Sequence, residues 1–120
     1  MANLQYTDTH LTITLTGARR VLGRWRPLTV PLAAITAVRA DPAAARVFPG
    51  ARWGVATNIP GVLNAGSFRR GGNRDFWDVA DPDRAIVIEL EGAGYDRLLL
   101  EVDDPQQAVA EIRARSRAQA

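Results

Sequence analysis

The sequence predicts a mainly β (α+β) fold, a curled antiparallel seven-stranded barrel with one short early helix and a C-terminal helix capping it. Three observations carry this. Arg84–Glu91 and Tyr95–Val102 are strand-like runs joined by Gly92-Ala93-Gly94. Ile86, Ile88 and Leu90 share one face of the first run, as Leu98, Leu100 and Val102 do in the second, the two-residue period of a strand. Asp104 as N-cap, Pro105 at the first helical position and Gln107 behind it then open a helix over about 105–117.

The other elements follow in order. His10–Thr16 alternates apolar residues with threonine, which predicts a half-buried strand over 10–16 with Leu11, Ile13 and Leu15 inward. At Gly17 the period changes. Leu15, Ala18 and Leu22 recur at helical spacing, Thr16 can cap and Gly23 can stop, so Gly17–Leu22 reads as a short helix, a continuing hairpin being the competing reading. Strands over 28–31 and 34–40 follow, with Pro31 at a strand end because proline cannot donate to a ladder. Ala43–Pro60, broken by glycines and prolines, reads as a long loop, and loops of this length are functional or mobile. Strands resume over 62–69 and 74–79, joined by the hairpin signal Arg70-Gly71-Gly72-Asn73, before Asp81-Pro82-Asp83 turns the chain into strand 84–91 and then 95–102. In the last helix Ala108, Val109 and Ile112 form a narrow apolar stripe, and Arg113, Arg115 and Arg117 sit near its negative end.

At 120 residues the chain fits a single domain, 1–120. With 47% hydrophobic and 23% charged residues it has the composition of a soluble globular protein. It has no cysteine, which excludes disulfides and thiolate chemistry, and all 15 of its basic residues are arginine. The formal net charge of +2 is small, so no nucleic-acid partner is expected. The N-terminus lacks a basic segment followed by an apolar one, and no run is long enough to span a bilayer. A cytoplasmic protein is therefore expected.

Leu28–Val38, Ile59–Gly66, Arg74–Val79, Ala85–Leu90 and Tyr95–Leu98, in this order, resemble an uncharacterised actinobacterial family of bacterial pleckstrin-homology (PH)-like domain proteins. The resemblance implies a PH-like barrel and carries no assigned activity. By fold analogy it implies an interaction domain that binds peptides, lipid headgroups or other subunits.

Catalytic and metal chemistry find little footing. His10 is the only histidine, which rules out a multi-histidine metal site, and Ser67 has no nucleophile-elbow glycines around it. Asp75, Asp78, Asp81 and Asp83 lack the central glycine and closing glutamate of a calcium loop and read as turn-forming or edge-solvating residues. One constellation suggests binding: Arg46, Arg52, Trp53, Asn58, Arg69, Arg70, Arg74 and Trp77, where guanidinium groups and indoles can hold anions or stack on planar groups. With Trp25, Val47 and Phe48, apolar residues in or near loops, it gives a candidate interaction surface of Phe48, Arg52, Trp53, Asn58, Arg69, Arg74 and Trp77. The expected function is a non-enzymatic module, without cofactor or metal, that self-associates or binds a protein partner. The alternative is a binder of a small anionic ligand or headgroup through the arginine- and tryptophan-rich region.

Overall fold

Alternation along the strands decides which side of each sheet is buried. The computed structural model describes residues 1–119. The elements are β1 (Ala2–Tyr6), β2 (His10–Leu15), α1 (Arg19–Leu22), β3 (Leu28–Pro31), β4 (Ile35–Ala40), β5 (Ala51–Ile59), β6 (Leu63–Arg70), β7 (Asn73–Val79), β8 (Ala85–Leu90), β9 (Arg97–Glu101) and α2 (Pro105–Arg117). Single 3₁₀ turns precede β4, β5 and β8. The fold is mainly β, with two sheets and a C-terminal helix.

β1, β2 and β3 form an antiparallel sheet in that order, and β4-β8-β9-β7-β6-β5 form the second. Leu11, Ile13 and Leu15 are buried as their alternation requires. They meet Phe76, Ile86, Ile88, Leu90, Leu98 and Leu100 from one face of the large sheet. Ala108, Val109 and Ile112 of α2 complete this core, and the Asp104 side chain caps the helix by accepting from the Gln107 amide at 3.1 Å. The opposite face of the large sheet carries a second core of Phe68, Trp77, Val79, Val87 and Leu99, covered in part by Ala45. β8 and β9 are thus buried on both faces, which explains their nearly continuous apolar sequences.

Four expectations are corrected. There are nine strands among the described residues, not seven. The sheets do not close into a barrel, because β4 and β5 remain the two edges of the large sheet. Pairing is not wholly antiparallel: β9 runs parallel to β7, with Phe76 opposite Leu98 and Trp77 opposite Leu99. β8 inserts on the far side of β9, so the chain leaves β7 and returns beside it in the same direction. Finally, Ala43–Pro60 is not one loop, since Ala51–Ile59 is the edge strand β5. The early helix forms, but Ala18 rather than Thr16 is its N-cap, and the Thr16 hydroxyl donates instead to the Met1 carbonyl at 3.0 Å.

Candidate functional site: an arginine- and tryptophan-lined groove

α1 and the segment leading into β3 build the first wall. This four-residue helix buries none of its own side chains and has no capping side chain, so it cannot hold its place by packing alone. Arg19 tethers it, donating to Asp78 at 3.3 Å and to Glu101 at 3.0 Å. The Thr57 hydroxyl donates to the Leu22 carbonyl at 2.8 Å and fixes the other end to β5. Gly23 then seats the chain on β6: a Cβ there would lie 2.9 Å from the side chains of both Ala65 and Leu15, too close for any other residue. Arg20, Val21, Arg24, Trp25 and Arg26 are thereby presented along one side of a groove of about 700 Å³.

The second wall is a bulge in β5. Pairing with β6 lapses between Arg52, opposite Phe68, and Ala56, opposite Gly66, so Trp53, Gly54 and Val55 together face the single residue Ser67. Gly66 makes this possible. At φ +115° it occupies a conformation that side chains avoid, and a Cβ there would come within 2.4 Å of the Val55 carbonyl oxygen. The floor is the hydroxyl pair of Ser67 and Tyr95, 2.6 Å apart. The Tyr95 ring packs edge-on against Trp53 and Phe76, with centroids 6.3 and 5.7 Å away, which ties the groove to the first core.

The electrostatics are one-sided. Arg39, Arg46, Arg84, Arg97 and Arg115, like Arg19, pair with carboxylates elsewhere in the fold. Among the described residues, Arg20, Arg24 and Arg26 in the groove and Arg52, Arg69, Arg70 and Arg74 on the adjoining strands make no such pair. The Arg20 guanidinium lies 4.4 Å from the Trp25 ring centroid, and those of Arg69 and Arg74 lie 5.1 and 4.6 Å from that of Trp53. The Nε atoms of Arg20 and Arg24 are buried without an acceptor. Nε atoms buried in the same way occur at Arg97 and Arg115 outside the groove.

The residues expected from the sequence divide. Trp53 lines the groove, and Arg69 and Arg74 lie against its ring without lining the groove themselves. Arg52 lies on β5 at the start of the bulge. Asn58 donates to the Asn64 side chain across the β5–β6 pair, and Arg46 to Asp83. Phe48 is exposed but does not line the groove. Trp77 is fully buried in the second core, edge-on to Phe68. Sequence reasoning missed Arg20, Arg24 and Arg26, although Arg20–Arg26 carries the same arginine–tryptophan interleaving that singled out the later segment.

The acidic group is also corrected. Asp75 and Asp78 do not solvate an edge: both are fully buried in the middle of the large sheet, Asp75 held by Arg97 at 2.6 Å and Asp78 by Arg19. Asp81 does form its turn, accepting from the Asp83 amide. Burial pushes the Asp78 carboxyl above its usual value, with the Arg19 charge opposing. Burial also works to raise Glu101. Hydrogen bonds from the Asp81 and Ala80 amides and from Arg19 outweigh it, and Glu101 is held below its usual value. Among the described residues, no three metal-ligating side chains converge. No helix there is long and apolar enough to cross a membrane. Comparison with protein-family models, curated proteins and solved structures finds no match.

Proposed function

We propose that this chain is a non-enzymatic binding module whose groove between α1 and the β5 bulge takes a small anionic ligand with a planar or apolar body. The observation that carries this reading is the grouping of Arg20, Arg24 and Arg26, none paired with a carboxylate among the described residues, around the same groove as Trp25 and Trp53. The groove's volume of about 700 Å³ suits a small ligand, and Trp25 and Trp53 offer surfaces on which a flat group can stack. No catalytic base supports turnover: His10 lies on the small sheet with its ring bonded to Thr9, and the Ser67 hydroxyl is engaged by Tyr95. A C-terminal helix packed on a sheet core is in keeping with the PH-like resemblance read from the sequence, and the open sheets and parallel β7–β9 pair count against it.

The test is titration with phenyl phosphate, benzoate and a nucleoside monophosphate, read by tryptophan fluorescence. Saturable quenching is expected for at least one probe. The double variant Arg20→Gln, Arg24→Gln should weaken it about tenfold or more, since a charge-assisted hydrogen bond contributes roughly 1.5–3 kcal/mol. No saturable response to any probe refutes the reading.

A second reading, self-association, draws on a different surface. Val47, Phe48, Ile59 and Val62 are exposed beside the open edge of β5, with Phe48 70% accessible. Light scattering on wild type and on Phe48→Ser tests it. A wild type that stays monomeric at high micromolar concentration removes it.

A further inference from the structure

Arg69 and Arg74 sit directly opposite one another on β6 and β7. Like charges in that position repel, and side chains at such a pair approach within about 4.5–5.5 Å at Cβ. Both are exposed and neither has a carboxylate within ion-pairing distance among the described residues. The Asp96 carboxylate accepts from the Arg74 backbone amide at 2.7 Å, and Asp75 is held by Arg97. Instead of diverging into solvent, the two guanidinium groups converge on the ring of Trp53, 5.1 and 4.6 Å from its centroid. Trp53 is also a lining residue of the groove, together with Arg20, Arg24 and Arg26, which make no carboxylate pair among the described residues. Trp53 therefore joins the Arg69–Arg74 pair to the groove, where Arg20 lies against the other indole, Trp25.

We infer that Arg69 and Arg74 form a second oxyanion subsite, and that the groove's ligand is an elongated anion with two acidic ends. One end, a carboxylate or phosphate, is held by Arg20 and Arg24. The other is held by the cross-strand pair, with a ring-sized apolar body lying against Trp53 between them. Guanidinium groups suit both oxyanions because each can offer two parallel N–H donors. This deepens the reading above and rests on it.

The experiment is calorimetric titration of the full chain with one-ended and two-ended anions. Benzoate and phenyl phosphate carry one acidic group; terephthalate, a biphenyl dicarboxylate and carboxyphenyl phosphate carry two. At least one two-ended probe should bind about tenfold or more tighter than its one-ended counterpart, because the second contact is made at high effective concentration. Whether dicarboxylate or carboxyphenyl phosphate wins identifies the oxyanion. Arg69→Gln, Arg74→Gln should bring the two-ended probe down to the one-ended level and leave the one-ended probe unchanged. Both side chains are exposed, so the variant should fold, and an unchanged thermal midpoint checks this. If the variant binds the two-ended probe like wild type, or loses both probe types equally, the subsite is refuted while the groove reading stands. If no probe binds wild type, the groove reading itself has failed.

Discussion

Replacing Arg19 by methionine removes the tether of α1 and leaves two carboxylates facing each other in the sheet. Arg19 is 17% exposed, Asp78 is fully buried and Glu101 is 7% exposed, so water does little to replace the lost charge. Breaking a buried ion pair by deleting one partner costs about 3–5 kcal/mol, against a total stability of about 5–15 kcal/mol for a domain. Arg19→Met should therefore lose roughly 3–5 kcal/mol in urea denaturation near pH 7. The pH dependence has a definite sign. Asp78 has a raised carboxyl in the folded state, so the fold binds its proton more tightly than the unfolded chain and gains stability as pH falls through that raised value. Glu101 is held low, so its contribution is full above the unfolded value and is lost as pH falls through the folded one. Without Arg19, Asp78 keeps only the N-terminal ammonium as a lowering charge and Glu101 keeps the Asp81 and Ala80 amides, so both carboxyls are protonated more easily, Asp78 most of all. The gap between wild type and Arg19→Met should narrow as the pH falls from neutrality through the raised value of Asp78. Adding Asp78→Asn to the variant should recover part of the loss at neutral pH. A loss of under about 1 kcal/mol, the scale of a solvated surface pair, would refute the buried tether. So would a gap independent of pH.

Other perturbations test other parts of the fold. Ile112→Ala, at a fully buried position of α2, should cost about 2–5 kcal/mol by chemical denaturation, and removing residues 104–120 should give an unfolded or aggregating chain. Asp104→Ala should cost only about 1 kcal/mol, the loss of one N-cap. Gly66→Ala should lower stability by about 1–3 kcal/mol through its left-handed backbone, and should also weaken probe binding by displacing the bulge that carries Trp53. A Gly66→Ala protein with wild-type stability would remove the role given to that close approach.

Legibility in the sequence followed burial. Leu11, Ile13 and Leu15 alternate because one side of β2 faces the core, and the inward residues of β8, β9 and α2 were readable for the same reason. β5 was not, because residues 51–55 are all exposed and the strand is interrupted by the bulge at Gly54, leaving no period to see. Backbone pairing with β6 makes it a strand, and pairing leaves little trace in side-chain type. The parallel β7–β9 contact is equally silent locally, since only the insertion of β8 at the far side of β9 decides it. Asp75 and Asp78 read as solvated because the arginines that make their burial tolerable lie far away in sequence, Arg19 at a separation of 59 residues. At the groove, Trp53, Arg69 and Arg74 stood out by residue type, while Arg20, Arg24 and Arg26 became visible only once α1 was seen to dock beside the bulge.

The most direct test of the central claim is the behaviour of the arginine Nε–H signals in heteronuclear NMR as phenyl phosphate is added. Arg20 and Arg24 line the groove, so their signals should shift saturably, at one common dissociation constant. Signals from the paired side chains of Arg39 and Arg97 should stay in place. A small, non-saturating shift spread over all arginines, reproduced by the same ionic strength of sodium chloride, is charge screening and would contradict a ligand site in this groove.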